Sequence, residues 1–204
     1  MISIVDYGLG NIQAFLNVYK RLNVEVRSAT TAADLDDASR VILPGVGAFD
    51  HAMERLEASG MRAALDDLAL RRRVPVLGVC VGMQILAHES EEGERAGLGY
   101  IEGRVRLFDA DAPAGPLQLP HMGWNDVAPA PGNRLFAGLD DDARFYFLHS
   151  YYFECGRQDD VAAVSRYGRE FSCAVTAGNI HGVQFHPEKS HHFGTRLLQN
   201  FAEL

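Results

Sequence analysis

The amino-acid sequence predicts an α/β fold with a central, mostly parallel sheet, helices on both faces and an added antiparallel strand section. Two observations lead to it: strand and helix patterns alternate through the first half of the chain, and short strand-like runs fill residues 100–185. Strict alternation is typical of a parallel sheet covered by helices. Closely spaced short runs separated by turn residues indicate antiparallel strands.

The first half of the chain carries the alternation. Apolar residues form short continuous or alternating runs, and between these runs they recur at helical spacing. Pro44-Gly45 is expected to end the third strand, and Gly60 to divide the helical pattern that follows. We predict strands at residues 2–5, 24–26, 41–43 and 74–79, and helices at 12–22, 53–56, 61–68 and 83–88.

The second half is predicted to be mostly antiparallel, with a closing helix at residues 193–201. Its strand-like runs are at residues 105–108, 124–127, 145–153, 161–164, 171–175 and 180–185. The acidic stretch 89–94 is interpreted as a solvated loop. Because no internal repeat, low-complexity segment or long linker interrupts the chain, we expect one domain over residues 1–204.

Composition excludes several classes of protein. A net charge of −8 argues against a nucleic-acid partner, and no apolar run approaches the ~20 residues that span a bilayer. The first residues lack the basic start and long apolar run of a signal peptide. Three widely spaced cysteines without CxxC spacing suggest neither a disulfide framework nor zinc, so a reducing cytoplasm fits best.

One cysteine stands between two glycines at the end of the apolar run 74–79. Gly78-Val79-Cys80-Val81-Gly82 after a buried strand and before a helix is typical of a nucleophile elbow, a tight turn that needs small flanking residues. A thiol at a helix N-terminus is also favoured as thiolate. The alternative is a buried cysteine at a close strand–helix contact.

A nucleophilic cysteine needs a base, and His186-Pro187-Glu188 is the best candidate. In an extended segment, residues i and i+2 point to the same side, so Glu188 can orient the His186 imidazole. The alternative is a surface turn with a capping glutamate. His191-His192 nearby lacks cysteine or carboxylate partners at ligand spacing, so we expect no metal and no cofactor.

A third element is the glycine-rich run from Pro44 to Phe49, which follows a predicted parallel strand. Backbone N–H groups at this edge of the sheet can face a developing oxyanion. A phosphate cradle is the rival reading, but the lysine of a P-loop is absent. A plain turn before a helix capped by Asp50 is the third possibility.

Together these motifs resemble the class I glutamine amidotransferases. The stretches VDYGLGN (5–11), PGVGAFD (44–50), LPHMGWN (119–125), FYFLHSYY (145–152) and HPEKS (186–190) narrow the likeness to the glutaminase subunits of imidazole glycerol phosphate synthase. The likeness covers essentially the whole chain. It implies a single amidotransferase domain with a flavodoxin-like core. Val81 replaces an expected leucine, but it keeps an apolar side chain and a backbone N–H.

The resemblance implies a role for each matching residue. Cys80 would attack the glutamine amide to give a glutamyl thioester, His186 would move protons, and Glu188 would orient His186. The Val46 and Val81 N–H groups would form the oxyanion hole. Residues matching the glutamine-binding positions are Gly47, Gln84, Glu92, Ser150 and Tyr151; for Glu92 a solvated acid is the alternative.

The resemblance also implies a partner, a (β/α)8 barrel synthase that receives ammonia through its core. The barrel would form imidazole glycerol phosphate and an aminoimidazole carboxamide ribotide from a phosphoribosyl-formimino carboxamide ribonucleotide. The positions that match this interface are Asn11, His121, Met122, Trp124, Tyr146 and Lys189. Ordinary core is the alternative for Met122 and Trp124, although an amphipathic indole suits a partner surface.

Three other readings compete with this one. An α/β-hydrolase-type cysteine enzyme would place its acid far ahead of the histidine, whereas Glu188 follows His186 by two residues. A sibling amidotransferase subunit, including a paralogue of a surface-sugar pathway, would share most of the motifs. A regulatory subunit that kept only the fold is disfavoured by the intact Cys80, His186 and Glu188.

Overall fold

The computed structural model describes residues 1–109, 116–139 and 142–204. Within these ranges the strands are β1 Ile2–Val5, β2 Val26–Ala29, β3 Arg40–Gly45, β4 Val76–Cys80, β5 Glu89–Ser90, β6 Gly103–Leu107, β7 His121–Asp126, β8 Ala128–Pro129, β9 Arg144–His149, β10 Tyr151–Cys155, β11 Val161–Tyr167, β12 Arg169–Ala177 and β13 Ile180–Val183. The helices are α1 Ile12–Arg21, α2 Phe49–Ala58, α3 Arg62–Asp66, α4 Val81–Gln84 and α5 His191–Glu203. Short 3₁₀ turns occur at Ala32–Leu35, Arg134–Phe136, Gln158–Asp160 and Pro187–Lys189, and a π-turn at Asp67–Arg71.

The main sheet has the strand order β2-β1-β3-β4-β13-β12-β10-β6-β5. The first five strands pair in parallel, and β12, β10 and β6 continue the sheet antiparallel. A separate antiparallel pair joins β7 to β9. The predicted α/β class, with a mostly parallel centre and an antiparallel section, is therefore confirmed.

One predicted antiparallel strand is instead part of the parallel centre. β13 pairs antiparallel with β12 but parallel with β4, where Gly182 is the register partner of Gly78. The chain thus returns from the antiparallel section to the middle of the sheet. Its continuation, residues 184–190, consequently ends up beside the end of β4, which carries Cys80.

The helix predicted at residues 83–88 is wrong in its extent. α4 starts at Val81 and has only four residues. The carbonyls that would continue it accept hydrogen bonds from elsewhere in the chain: Ile85 from Leu98, Leu86 from Ile101 and Ala87 from Gly99. These tertiary bonds replace the helical ladder, and the chain turns into β5 within the stretch predicted as a loop.

The aromatic run at residues 145–153 is two strands in two different sheets. β9 ends at His149, Ser150 is a bend, and β10 begins at Tyr151 in the main sheet. β3 includes Pro44 and ends at Gly45, so it runs two residues past the end of the predicted strand 41–43 and stops within the Pro44-Gly45 pair. Among the described helices, none has the length and apolar character needed to cross a membrane.

Candidate active site

Cys80 is the last residue of β4 and adopts a left-handed backbone, with φ 56° and ψ −116°. The flanking glycines are required by close packing. A Cβ on Gly78 would lie 2.5 Å from the Gly82 carbonyl oxygen, and one on Gly82 would lie 1.9 Å from that of Leu43. The sequence pattern thus produces a strained strand-to-helix turn whose side chain projects at the sheet edge.

His186 and Glu188 lie beside this turn. His186 Nδ1 is 2.9 Å from Glu188 Oε1, and both side chains are at most 5% exposed. The contact was expected, but its cause differs, because Pro187–Lys189 is a 3₁₀ turn and not an extended segment. His186 is anchored through its backbone: its N–H donates to the Tyr146 carbonyl, and its own carbonyl accepts from the Ser190 hydroxyl.

The environment of His186 favours its charged form. Burial opposes the charge, but hydrogen bonds to Cys80 and Glu188 outweigh it and raise the pKa of His186 from 6.5 to about 9. The imidazole therefore touches the sulfur on one side and a buried carboxylate on the other. This arrangement can accept the thiol proton and hold it as imidazolium.

A cavity of about 260 Å³ opens over Cys80. All of the predicted glutamine-binding residues and both predicted oxyanion residues line it, and four residues that the resemblance did not assign to glutamine join them. The predicted set is Val46, Gly47, Val81, Gln84, Glu92, Ser150 and Tyr151, and the additional residues are Pro120, Leu148, His149 and Lys189.

Glu92 is not a plain solvated acid. Its Oε2 accepts from the Phe49 N–H at 2.8 Å. Burial and the nearby Asp50 charge raise the pKa of Glu92, against the effect of that hydrogen bond. Asp50 does not cap α2. Its carboxylate accepts from the Glu94 and Arg95 N–H groups instead and so holds the 92–95 loop against the start of α2.

The glycine-rich segment reaches the same cavity. Gly45 is the register partner of Cys80, and a Cβ on Gly45 would come within 2.4 Å of the Gly82 nitrogen. Gly47 has φ 85°, which an L-residue adopts at a cost. In the part of the chain that the structure describes, the Val46 N–H makes no hydrogen bond, so it is free to serve a ligand.

Two buried polar residues near the sulfur were missed by the sequence analysis. Gln184 is fully buried, and its Nε2 lies 3.9 Å from Cys80 Sγ. His149 is 6% exposed and lines the cavity. Strand periodicity could have identified Gln184, since it precedes His186 by two residues and so shares its side of the segment. No local signal marks His149.

The predicted interface residues divide into two groups. Met122, Trp124 and Tyr146 point outward from the β7–β9 pair, and Asn11 and Lys189 are at least partly exposed. His121 differs, because it is only 4% exposed and stacks between Phe147 and Tyr167. Strand alternation explains this, since neighbours on a strand face opposite sides and the outward side begins at Met122.

The outward side of this pair is apolar. Met122 is paired with Leu148, and Trp124 with Tyr146. Met122 is 63% exposed, Trp124 39% and Leu148 37%. We call these four residues the outer face.

Among the described residues, no group of three or more histidine, cysteine or acidic side chains could hold a metal ion.

Comparison with known proteins identifies the family of this chain. A model of the family described as glutamine amidotransferase class-I matches residues 3–204. The chain therefore belongs to the class I glutamine amidotransferase family. Solved structures share its fold: a glutamine amidotransferase at 20% identity has a TM-score of 0.76 and covers 99% of this chain and 97% of its own. PurLQS from Thermotoga maritima, at 18% identity, has a TM-score of 0.73 with the same coverage.

Closer relatives define the branch of this family. Imidazole glycerol phosphate synthase subunit HisH of Bdellovibrio bacteriovorus is 59% identical over 204 residues, the full length of both chains. The subunit of the same name from Leptospira interrogans is 52% identical, again over both full lengths. Within the class I amidotransferases, the chain is a member of the HisH subunit family.

Proposed function

We propose that residues 1–204 act as one glutaminase domain that hydrolyses glutamine at Cys80 and passes the ammonia to a synthase partner in histidine biosynthesis. The partner would be a (β/α)8 barrel that forms imidazole glycerol phosphate and an aminoimidazole carboxamide ribotide. The observation that carries the proposal is the contact chain Cys80–His186–Glu188 beneath a cavity lined by the expected glutamine-binding residues.

The chemistry follows from these contacts. The Cys80 thiolate attacks the carbonyl carbon of the glutamine side-chain amide, and the carbonyl oxygen becomes an oxyanion that the Val46 and Val81 N–H groups stabilise. Imidazolium at His186 donates its proton to the amide nitrogen, the C–N bond breaks, and ammonia leaves a glutamyl thioester. His186 then removes a proton from the attacking water, and collapse of the second intermediate releases glutamate and restores the thiolate.

Glutamine would be held at its amino-acid end by other residues of the cavity lining. Glu92 offers a carboxylate to the α-ammonium group, and the approach of that cation would lower the raised pKa of Glu92. The Ser150–Tyr151 segment lies on the same cavity. A cavity lined by both a carboxylate and a thiol fits an amino acid whose amide is at the end of its side chain.

The outer face supports the partner proposal. Exposed apolar side chains grouped on one surface indicate an interaction site. Leu148 belongs both to this face and to the cavity lining. Val46 and Lys189 also line the cavity. A barrel docked on the outer face would therefore cover the cavity mouth, where ammonia leaves, and would limit its escape into water.

Co-expression with the barrel subunit of the same genome tests the function. The purified complex should release glutamate from glutamine and form imidazole glycerol phosphate. Cys80→Ala should lose both glutamine-dependent activities but still dock and still form product from ammonium salt. Cys155→Ala is the matched control, because Cys155 is a half-buried thiol on β10 and lines no part of this cavity.

Two results would contradict the proposal. Wild-type glutamate release by Cys80→Ala would remove Cys80 from the mechanism. A complex that hydrolyses glutamine but closes no imidazole ring would assign the chain to a synthase of another pathway.

A further inference from the structure

A line of buried polar groups connects β7, whose outward side chains form part of the outer face, to the sulfur of Cys80. It begins at Asn125 and His121 on β7, crosses to His149 at the end of β9 and reaches the carbonyl of Tyr151. From there it continues through Gln84 and Gln184 to Cys80. Of these side chains, all but Asn125 are buried.

The direction of each hydrogen bond in the first half is fixed by its neighbours. The Tyr151 carbonyl can only accept, so His149 Nδ1, 2.7 Å away, carries a proton. Burial lowers the pKa of His149 to about 3, so this ring is neutral and its Nε2 is an acceptor. His121 Nδ1, at 2.9 Å, must then be the donor.

His121 completes this half consistently. Burial lowers its pKa to about 4, so with a proton on Nδ1 its Nε2 can only accept. The Asn125 amide nitrogen, 3.2 Å away, supplies that donor, and it also donates to the Arg166 carbonyl. Both histidines are therefore neutral Nδ1–H tautomers with every ring nitrogen used.

The second half is fixed in the same way. The Tyr151 carbonyl also accepts from Gln84 at 3.1 Å, so the nitrogen of the Gln84 amide must face it. The other hydrogen on that nitrogen points to Gln184 Oε1 at 3.0 Å. Because the oxygen of Gln184 is used in this way, its nitrogen must face Cys80 Sγ, 3.9 Å away. If the Gln184 amide were flipped, its NH₂ group would face the NH₂ group of Gln84, and two donors would be placed together.

We propose that Gln184 is a further residue of the glutaminase reaction, one that donates an N–H to the Cys80 sulfur and stabilises it as thiolate. The proposal rests on the function above only in taking Cys80 as the nucleophile. Gln184 cannot lose this orientation without breaking the chain of donors that ends at the Tyr151 carbonyl. A fixed dipole aimed at the sulfur needs no reorganisation as negative charge develops there.

Other groups around the sulfur act differently. His186 supplies the positive counter-charge, and Glu188 holds it in place. His149 is neutral, and the Tyr7 hydroxyl, whose pKa is raised by burial and by the nearby sulfur, donates to the Pro44 carbonyl. The Leu148 carbonyl, 3.9 Å from Cys80 Sγ, is an acceptor and can bond only to the thiol. In the part of the chain that the structure describes, the uncharged side chain that donates to the sulfur is therefore Gln184.

Alkylation of Cys80 provides the test. The rate of its modification by iodoacetamide, followed on the Cys80 peptide by mass spectrometry, is measured against pH in the assembled complex. Gln184→Met keeps the volume of the side chain but removes the donor. We expect the midpoint of the rate profile to rise by about one pH unit, about a tenfold loss of thiolate below the midpoint, because the thiolate loses a hydrogen-bond donor. Glutamine turnover should fall about tenfold, with less change in KM.

Asn200→Leu is the matched control for the loss of a buried amide. Asn200 donates to the Leu135 and Ala137 carbonyls, away from the cavity. This variant should change the stability of the protein but leave the alkylation midpoint at the wild-type value. An equal midpoint in Gln184→Met and wild type would overturn the role of Gln184 and leave the glutaminase function standing.

A measurement on the unaltered enzyme covers the case in which Gln184→Met does not fold. With ¹⁵N-labelled glutamine side chains, the Gln184 NH₂ resonances should shift with the same pH midpoint as the alkylation rate. That shift should be absent in Cys80→Ala. Resonances that stay constant through the midpoint would show that the amide does not donate to the sulfur.

Discussion

Gly45 and Cys80 are register partners across β3 and β4, at the point where both strands end. The pairing brings the glycine-rich segment 45–47 to Cys80, and it leaves no room for a side chain at residue 45. A Cβ there would lie 2.4 Å from the Gly82 nitrogen and 2.9 Å from the Val81 carbonyl carbon. The approach of two backbones, and not turn flexibility, therefore requires this glycine.

Gly45→Ala is expected to destabilise the protein and to impair the active site. The atoms that its Cβ would meet belong to the backbone, so relief requires β3 and the elbow to move apart. Overpacking of this kind costs about 1–3 kcal/mol in unfolding free energy. Urea denaturation measures it. Gly60→Ala is the control, because residue 60 has φ 72° but open space around it, so it should lose only about 1 kcal/mol. Equal losses in the two variants would contradict the close-approach argument.

Val46→Pro removes one of the two proposed oxyanion donors. Since the Val46 N–H makes no hydrogen bond within the described residues, proline breaks no structural bond there. Loss of one such donor lowers turnover by roughly 10²–10³, while glutamine binding weakens much less. Steady-state kinetics of the complex measure both quantities. Circular dichroism and barrel binding must first match the wild type. Unchanged turnover in a folded, docked variant would transfer the role to the Gly47 N–H.

Glu188→Gln is expected to lower the titration midpoint of His186. The buried carboxylate and the sulfur raise the pKa of His186 to about 9, so removing the carboxylate charge should lower it by about one to two units. NMR of the labelled imidazole measures the midpoint. Glu102→Gln, which alters the exposed pair of Glu102 with His88, should leave it unchanged.

The His186 imidazole also affects the stability of the folded protein, within a defined pH window. A histidine whose pKa is raised on folding contributes stability that is fully present below its unfolded value near 6.5 and is lost as the pH rises through about 9. The stability advantage of wild type over Glu188→Gln should therefore decrease between pH 7 and pH 10. An advantage that grows over this range would show that Glu188 does not stabilise the imidazolium.

Trp124→Ala should weaken binding of the barrel subunit. Trp124 stacks on His191 at a ring-centroid distance of 5.2 Å, which holds the indole in place on the outer face. Truncation of a central aromatic residue at an interface costs about 2 kcal/mol or more, or roughly 30-fold in Kd. Titration calorimetry measures it, and the emission of Trp124 in the wild type should change on docking.

Leu70→Ala is the control for that loss, because Leu70 is 51% exposed and lies in the π-turn Asp67–Arg71, apart from the outer face. It should bind with the wild-type Kd. A Trp124→Ala protein that binds the barrel as tightly as wild type would place the interface elsewhere.

The sequence by itself determined the α/β class and the elbow. These features depend on local chemistry: apolar periodicity defines the strands, and glycines at 78 and 82 leave a single tight path around Cys80. Motif likeness supplied the residues predicted to line the cavity, including Glu92 and Tyr151, which lie 59 residues apart in the chain and meet at one cavity.

Only the tertiary structure decided where distant segments meet. The end of α4 at Gln84, the division of the aromatic run at Ser150 and the burial of His121 all depend on partners far along the chain. The line of donors from Asn125 to Cys80 depends on them as well. The donor-to-acceptor direction along this line follows from which atoms face the Tyr151 carbonyl. Hydrogen-bond direction depends on neighbours in space, whereas sequence patterns show only neighbours along the chain.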